Sequence, residues 1–525
     1  MSPQRTPRSN FRYFPKFAIP TLATLLRFCF LVNVGAVAPY RIVKAKSDCC
    51  NENWETAIGP HFFFNIENSS ITNMNTESSS STKWVSDQSP VHSDVEDKLR
   101  RLLVELGNAG RILGIQVCAY KEGKVIIDTA AGVMGNDDPR PVQPDTLFSV
   151  FSATKGVTAG MMHWLADKGK MKLDENVAKL WPEFGTNGKD HIKVHHILNH
   201  TSGLHNALSD IYQEDPMLLC DWDACIKRIA KVAPETEPGR EQIYHFLSYG
   251  WLCGGIIEHA SGKKFQDILE EAFVRPLNVE GEFYIGIPPG VESRMATLTL
   301  DITEFTRNAV ATATTIKQPY GAMPSSLSPE ILASFIPLSN TLNVRRAILP
   351  AANGHFSARA LARYYATLVD GGTVPPPHSS SLPLLGSHPH HPTFPSNNPK
   401  DSNSNTYNQH SNPKIFDNPK SKIHDAFLGC GDYEDLICSN GKFGLGFKRV
   451  TRTEGSVFGF GHAGFGGSTG YCDINNRFAI SVTLNQLSGG VLTGEIIRFV
   501  CSELDLPVPE YYTVSQEFID KLVIN

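Results

Sequence analysis

A serine and a lysine stand three residues apart in the segment FSATKG, as Ser152 and Lys155. An apolar run leads into this segment and the apolar residues after it repeat at helical spacing, so we predict that Ser152 lies at the start of a helix. Residues three apart on a helix share one face, which places an amine beside a hydroxyl. An amine that accepts the proton of a serine hydroxyl makes that serine a nucleophile, so the pair predicts acyl transfer.

The same Ser-x-x-Lys spacing occurs five times in the chain, starting at Ser80, Ser152, Ser261, Ser411 and Ser439. Two of these serines lie in polar low-complexity sequence, one at a predicted helix end and one before an Asn-Gly turn. Only Ser152 leaves an apolar run and enters a helical pattern. Taken alone, Ser152 is explained equally well as a helix N-cap whose hydroxyl satisfies a backbone N–H.

Two further segments extend the pattern. Tyr244 begins YHF ahead of a predicted helix, and His462 lies in GHAGFGGS, residues 461–468, ahead of a predicted strand. Together with Ser152 they follow the motif order of the serine β-lactamase and penicillin-binding-protein superfamily. The chain resembles that superfamily over roughly residues 96–504, and most closely its esterase branch, which is similar to class C β-lactamase. Further matching blocks are LNHTSGL at 198–204, FSARALAR at 356–363 and FGLGF at 443–447.

Two positions depart from the β-lactamase pattern. Phe246 stands where that branch has an asparagine, and His462-Ala463-Gly464 stands where it has Lys-Thr-Gly. Phenylalanine forms no hydrogen bond, and a neutral histidine is a poorer anchor for an anion than lysine. The resemblance therefore implies serine acyl-enzyme chemistry on simple esters rather than antibiotic hydrolysis.

The resemblance also implies a role for each motif. Ser152 is expected to form the acyl-enzyme, Lys155 to accept its proton, and Tyr244 to relay a proton to the leaving group and then help activate water. How the base function divides between Lys155 and Tyr244 stays open. The backbone N–H groups of Ser152 and Phe465 are expected to hold the oxyanion.

Three further residues are expected to bind substrate, namely His462, Gly464 and His245. His462 would line the site, and Gly464 suits a strand edge that substrate approaches closely. For His245, packing behind the site is the alternative. The expected function is hydrolysis of small esters. The alternatives are a β-lactamase or D-amino-acid peptidase, and a non-catalytic binding or scaffold protein on the same fold.

Composition and motifs limit the classes of partner, cofactor and metal that we expect. The chain has 525 residues, 41% of them hydrophobic, and a net charge of −5, which gives no case for nucleic acid as a partner. No phosphate-binding loop is present, no cofactor is expected, and the expected partner is a small-molecule ester. His191, His195, His196 and His200 have helical ligand spacing but lack an H-E-x-x-H motif, so no metal is expected. Eleven cysteines are too scattered for a disulfide framework, although Cys49, Cys50, Cys430 and Cys438 lie in loop-like sequence where pairing stays open.

The chain divides into five predicted segments. Residues 1–47 form a basic leader without Asp or Glu, whose apolar stretch 17–38 is interrupted by Arg27. This pattern fits a signal peptide, a membrane-contacting anchor or an organelle transit peptide, with a disordered extension as the alternative. Residues 48–92 are predicted to be a disordered linker, 93–510 the hydrolase domain, and 511–525 a tail. Residues 373–422, dense in Pro, His, Ser and Asn, are predicted to be a disordered insertion within the domain.

Periodicity predicts strands near both ends of the domain and helices between them. The predicted strands are 112–120, 125–129, 443–447, 457–460, 469–474 and 478–485. We therefore expect an α+β (α/β) fold with one sheet built from both termini and an inserted helical subdomain. The resemblance implies the same architecture, an antiparallel sheet flanked by helices as in β-lactamases and transpeptidases.

Overall fold

A computed structural model of the chain describes residues 84–85, 90–300, 329–378, 381–389, 413–438 and 440–513. The predicted leader, most of the predicted linker and residues 514–525 of the predicted tail lie outside these described residues. Within the described part, no helix is long and apolar enough to cross a membrane.

Twelve strands are found in the described residues. They are β1 (Gly114–Lys121), β2 (Lys124–Gly135), β3 (Asp138–Pro141), β4 (Phe148–Ser149), β5 (Phe283–Ile285), β6 (Thr299–Leu300), β7 (Gly354–Phe356), β8 (Lys448–Thr451), β9 (Val457–Ala463), β10 (Thr469–Asp473), β11 (Phe478–Leu484) and β12 (Gln486–Leu487).

The α-helices of the described residues are α1 (Asp94–Asn108), α2 (Thr154–Asp167), α3 (Val177–Leu180), α4 (Val194–Leu198), α5 (Ser209–Glu214), α6 (Trp222–Lys231), α7 (Ser248–Ser261), α8 (Phe265–Leu269), α9 (Arg275–Leu277), α10 (Pro329–Ser339), α11 (Leu342–Arg346), α12 (Ala358–Val369), α13 (Lys420–Leu428) and α14 (Val491–Glu503). A 3-10 helix over Pro216–Cys220 joins α5 to α6.

The main sheet has seven strands in the order β3-β2-β1-β11-β10-β9-β8, and every neighbouring pair in it is antiparallel. Its centre is the pairing of the N-terminal β1 with the C-terminal β11, in which Val117 lies opposite Val482. The helices α2 to α11 occur between these two sets of strands. This confirms the predicted sheet from both termini with a helical insertion.

Both faces of the central strands are covered. Cys118 and Tyr120 on β1 belong to one core that includes α12, whereas Val117 and Ala119 belong to a second core with α1 and α14. Successive side chains on a strand point to opposite faces, so this division follows from the sequence alternation of a single strand. It also explains why β1 and β11 are buried almost throughout, because neither face is left to solvent.

Glycines let α12 approach the helix that carries the Ser-x-x-Lys motif. A Cβ on Gly156 would lie 2.4 Å from the Tyr365 hydroxyl, and one on Gly160 would lie 2.1 Å from the Tyr364 hydroxyl. The Tyr364 hydroxyl donates a hydrogen bond to the Gly156 carbonyl at 2.8 Å. Side chains at either glycine would push α2 away from α12, and with it the residues at its N-terminus.

The predicted strand over 443–447 is wrong. The segment forms turns, with the Gly444 N–H donating to the Phe447 carbonyl at 2.9 Å. Gly446 has a φ of 91°, which an extended strand does not allow. Phe443, Leu445 and Phe447 are all fully buried, and the segment pairs with β8 only through one isolated bridge from Phe443 to Lys448, so the alternation reflects three buried side chains.

The prediction that residues 373–422 form a disordered insertion is wrong for part of this range. Its described parts, 373–378, 381–389 and 413–422, pack against the domain, and Val374, Leu385 and Phe416 are buried. Arg363 of α12 donates to the carbonyls of Pro375 and Pro376 at 2.8 and 2.6 Å. Proline-rich backbone cannot satisfy its carbonyls internally, and buried guanidinium groups do this instead. The remaining residues of the prediction, 379–380 and 390–412, lie outside the described residues.

Two histidine contacts hold the same segment to the sheet. His378 Nε2 lies 2.8 Å from Asp128 Oδ2, and its Nδ1 lies 2.8 Å from the Tyr120 hydroxyl, with all three side chains buried.

The domain extends beyond residue 510, its predicted C-terminal boundary. The Tyr512 hydroxyl donates to Thr469 Oγ1 at 3.0 Å, so the start of the predicted tail belongs to the domain.

Candidate active site

Ser152 sits on a tight turn between β4 and α2. Phe151 has a φ of 47°, a left-handed conformation that is uncommon outside glycine and is held here by its surroundings. Thr154 Oγ1 donates to the Phe151 carbonyl at 2.5 Å and accepts from the Gly354 N–H at 2.8 Å. The turn is therefore tied to β7, and Ser152 is fixed at the N-terminal end of α2 with 5% of its surface exposed.

Lys155 lies fully buried on the first turn of α2 and contacts three oxygens. Its Nζ is 3.2 Å from Ser152 Oγ, 2.7 Å from the Phe246 carbonyl oxygen and 2.9 Å from the Ala351 carbonyl oxygen. Burial lowers the pKa of this amine well below its usual value, and among the described residues no aspartate or glutamate acts on it. A neutral amine has two N–H groups and one lone pair. The two carbonyls can take the N–H groups, which leaves the lone pair facing the Ser152 hydroxyl.

Tyr244 approaches Ser152 from the segment before α7. Burial raises the pKa of the Tyr244 hydroxyl, and a hydrogen bond with Ser152 partly offsets that rise. Lys155 Nζ lies 4.9 Å from the centre of the Tyr244 ring. The ring is stacked on Phe443 at 5.8 Å between centres, so the turn that replaces the predicted strand helps to fix it.

His245 faces away from the reaction centre. Its Nε2 lies 2.7 Å from Ser202 Oγ and its Nδ1 lies 2.7 Å from the Ile243 carbonyl oxygen, so both ring nitrogens are taken by the protein. Its backbone N–H donates to His200 Nδ1 at 3.2 Å. The His200 ring in turn packs 4.9 Å from the Tyr244 ring. This geometry argues against the predicted substrate contact of His245 and gives it a place in the layer behind Tyr244.

His462 lies at the end of β9, beside Tyr244 and Phe443, with ring centres 6.3 and 5.8 Å apart. Its Nδ1 lies 2.9 Å from the Ala463 carbonyl oxygen. Burial, together with the nearby Lys155 amine, lowers the pKa of His462 to about 3. His462 is therefore neutral at physiological pH, and it offers substrate no positive charge.

Gly464 brings the strand end against the serine turn. A Cβ at this position would lie 2.0 Å from the Val150 carbonyl oxygen, two residues before Ser152. The next residue, Phe465, packs edge-on against Phe151 with ring centres 5.9 Å apart. No hydrogen bond from the Ser152 N–H to a backbone carbonyl is found in the described part of the chain. The predicted pair of backbone N–H groups, from Ser152 and Phe465, is thus carried by two segments in direct contact.

Two concave surfaces adjoin these residues. A wide cleft beside β8 to β10 reaches His462 but not Ser152. A smaller and more apolar pocket is lined by Ser152, Phe246 and Phe465. The position of the serine decides between them, because an acyl group bonded to Ser152 must occupy the space beside it.

Several contributors could not be found from motifs. The carbonyls of Phe246 and Ala351 are 91 and 196 residues from Lys155 in sequence, and backbone atoms leave no compositional signal. The segments 216–220 and 335–344, which supply much of the pocket wall, also carry no motif. The only sequence signal that these two segments carry is their content of apolar residues.

The structure also bears on two other features of the sequence, the candidate metal ligands and the cysteines in loop-like sequence. No group of three or more His, Cys, Asp or Glu side chains suited to hold a metal occurs among the described residues. Cys430 and Cys438 are both free thiols. Cys49 and Cys50 lie outside the described residues.

Known proteins are similar to this chain in sequence and in structure. The family model described as beta-lactamase matches residues 99–498. Esterase/beta-lactamase LipL of Mycobacterium tuberculosis (strain ATCC 25618 / H37Rv) is 29% identical over 395 residues, which cover 74% of this chain and 81% of LipL. A penicillin-binding protein homolog from Caulobacter crescentus superposes with a TM-score of 0.58 at 25% identity, over 80% of this chain and all of its own. A family VIII carboxylesterase, at 22% identity and a TM-score of 0.58 over 79% of this chain and 98% of its own, shares the fold.

The family match spans most of the domain and includes every motif that carried the resemblance. The chain belongs to the beta-lactamase family and is a serine hydrolase, as the resemblance predicted. The fold expected from it, an antiparallel sheet with helices in the β-lactamase and transpeptidase arrangement, is confirmed.

Proposed function

We propose that this protein hydrolyses small, uncharged esters through an acyl-enzyme on Ser152. The observation that carries the proposal is the environment of Lys155. Its Nζ contacts two carbonyl oxygens and the Ser152 hydroxyl, without a carboxylate among the groups acting on it. Such a site favours the neutral amine, which is the form able to accept a proton.

The reaction follows from this arrangement. Ser152 Oγ attacks the ester carbonyl carbon while its proton passes to Lys155 Nζ. The ester C–O bond then breaks, and the proton reaches the departing alkoxide by way of the Tyr244 hydroxyl, which hydrogen-bonds with Ser152. Water attacks the acyl-enzyme in the second half-reaction, again giving up its proton to the Lys155 and Tyr244 pair. The bond between the acyl carbon and Ser152 Oγ then breaks, and that proton passes to Oγ, which releases the acid and restores the Ser152 hydroxyl.

Charge develops on the carbonyl oxygen during both attacks. Backbone N–H groups of Ser152 and Phe465 are the proposed donors, since Gly464 presses this strand end onto the serine turn. Substitutions that enlarge Gly464 would separate the two donors.

Esters are favoured over β-lactams because the site lacks the asparagine and the lysine of the β-lactamase motifs. Phe246 offers only its carbonyl, which Lys155 already uses, and neutral His462 is a weak anchor for a carboxylate. The name of LipL joins both activities, esterase and beta-lactamase, so cephalosporin hydrolysis is the second candidate. We expect a small activated ester to exceed a cephalosporin in kcat/KM by about 100-fold, or about 2.7 kcal/mol.

The decisive experiment compares two serines of the same motif spacing. Ser152→Ala should abolish turnover of a small activated ester and labelling by a fluorophosphonate, while circular dichroism stays unchanged. Ser261→Ala is the matched control, because Ser261 also has a lysine three residues on, yet its Oγ donates to the Ile257 carbonyl at 2.6 Å. The control should keep full activity. Retained turnover in Ser152→Ala, or absence of ester hydrolysis and labelling in the unmodified protein, would refute the proposal.

A further inference from the structure

The pocket beside Ser152 is lined by residues from five separate parts of the chain, and three of these parts form its walls. Besides Ser152, its lining residues are Phe151, Pro216, Met217, Leu219, Cys220, Phe246, Leu247, Phe335, Leu338, Ser339, Val344, Leu349, Ala352, Asn353 and Phe465. One wall is the 3-10 helix at 216–220, and a second comes from α10 and α11. The third is the loop that carries Phe465.

Two polar side chains of this lining, Asn353 and Ser339, donate hydrogen bonds to backbone carbonyls. The Asn353 side-chain amide donates to the carbonyls of Val344 and Ala347, both at 2.7 Å. Ser339 Oγ donates to the Phe335 carbonyl at 2.6 Å. None of the described lining residues is Asp, Glu, Lys, Arg or His. A charged group that entered this pocket would lose its water and gain no counter-charge, which is unfavourable by several kcal/mol.

We infer that this pocket holds the acyl half of the substrate and restricts it to uncharged aliphatic or aromatic acids. The inference rests on the proposed function, because it takes Ser152 as the acylated residue. Met217 on one wall and Leu338 on the opposite element are half-buried and set the length of the acyl chain. The alcohol leaves on the other side of the carbonyl, so this pocket places no demand on it.

A chain-length series in the unmodified protein gives the first test. Each methylene removed from water contributes about 0.8 kcal/mol, so kcat/KM should rise about fourfold per added methylene until the pocket is filled. A hemisuccinate ester, which has a similar length but a carboxylate at its end, should react at least about 100-fold more slowly than the matching pentanoate ester.

Substitutions then identify the residues that limit the length. Met217→Trp and Leu338→Trp should each lower the ratio of kcat/KM for a hexanoate ester to that for an acetate ester by at least about tenfold. Leu218→Trp is the matched control, because Leu218 is adjacent in sequence, 41% exposed and outside the lining. Its ratio should equal that of the unmodified protein.

The outcomes separate this inference from the proposed function. If esters are hydrolysed but chain length, the carboxylate and both tryptophans leave the ratios unchanged, the acyl group lies elsewhere and the inference is wrong. If no ester is hydrolysed, the proposed function itself fails. Should both variants misfold, labelling rates of Ser152 in the unmodified protein by ethyl- and hexyl-chain fluorophosphonates decide, since the inference predicts faster labelling by the longer chain.

Discussion

Among the described residues, Lys155 and Lys189 are fully buried and bonded to backbone carbonyls, yet one of the three hydrogen-bond partners of each lysine differs in kind. Lys189 Nζ donates to the carbonyls of Thr186, Ala230 and Val232, at 2.9, 3.1 and 2.5 Å. Lys155 Nζ has two such carbonyls, and its third neighbour is the Ser152 hydroxyl. Burial lowers the pKa of both amines, and that of Lys155 falls well below its usual value.

The difference lies in what the third neighbour can do. A carbonyl only accepts hydrogen bonds, so three carbonyls favour an ammonium with three N–H donors. A hydroxyl can donate as well as accept, so the site of Lys155 also suits a neutral amine. Lys189 closes the C-terminal end of α6, where carbonyls lack helical partners. The comparison therefore gives Lys189 a structural place at the end of α6 and supports the proposed role of Lys155 in proton transfer.

Replacing Lys155 gives the largest expected effect on this comparison. Lys155→Met removes the proton acceptor but keeps the apolar volume of the side chain, so kcat/KM for a small ester should fall by about 10³-fold. The measurement is steady-state hydrolysis with thermal unfolding as the check on folding. A variant that folds and retains activity within a few-fold of the unmodified protein would remove Lys155 from the mechanism.

Replacing Lys189 gives the smaller effect and the matched control. Lys189→Met also removes a buried amine from carbonyl partners, so the free energy of unfolding should fall by about 2 kcal/mol. Because Lys189 contacts no group of the site, kcat/KM should change little. Chemical denaturation measures the first quantity and ester hydrolysis the second. A loss of activity as large as that of Lys155→Met, at equal folding, would show that the two lysines are not distinguished in this way.

The fold was largely predictable because its strands carry their own signal. The strands near both ends of the domain either alternate apolar and polar residues or are continuously apolar. The helix that begins after Ser152 follows a clear apolar run. The strand prediction for 443–447 was wrong because alternation alone does not distinguish a strand from a turn that contains glycine and buries three side chains. The prediction of disorder for the proline-rich segment from 373 was wrong for a different reason. Its order depends on Arg363 and His378 contacts with other elements, which local composition does not encode.

The site was predictable to the level of side chains with motifs. Ser152, Lys155, Tyr244 and His462 are predicted from sequence motifs, and the structure brings them together, while their roles stay predictions. The environment on which the proposed role of Lys155 depends was not accessible from sequence, because it involves carbonyls 91 and 196 residues away. Lys189 shows the same limit, since no motif marks it although its environment nearly matches that of Lys155.

The central claim is that Lys155 is neutral when the enzyme works, and its ionisation can be observed directly. In protein labelled with ¹³C at the lysine ε-carbon, the Lys155 signal is identified by its absence from Lys155→Met and followed against pH. We expect it to titrate at a pH well below the ordinary range of a lysine amine and to report the neutral amine above that pH. The value of kcat/KM should fall over the same range, because protonated Lys155 cannot accept the Ser152 proton. His462, with its pKa lowered to about 3, cannot account for a loss near neutral pH. A Lys155 signal that stays protonated up to its ordinary pKa of about 10.4, in an enzyme fully active at pH 7, would contradict the account.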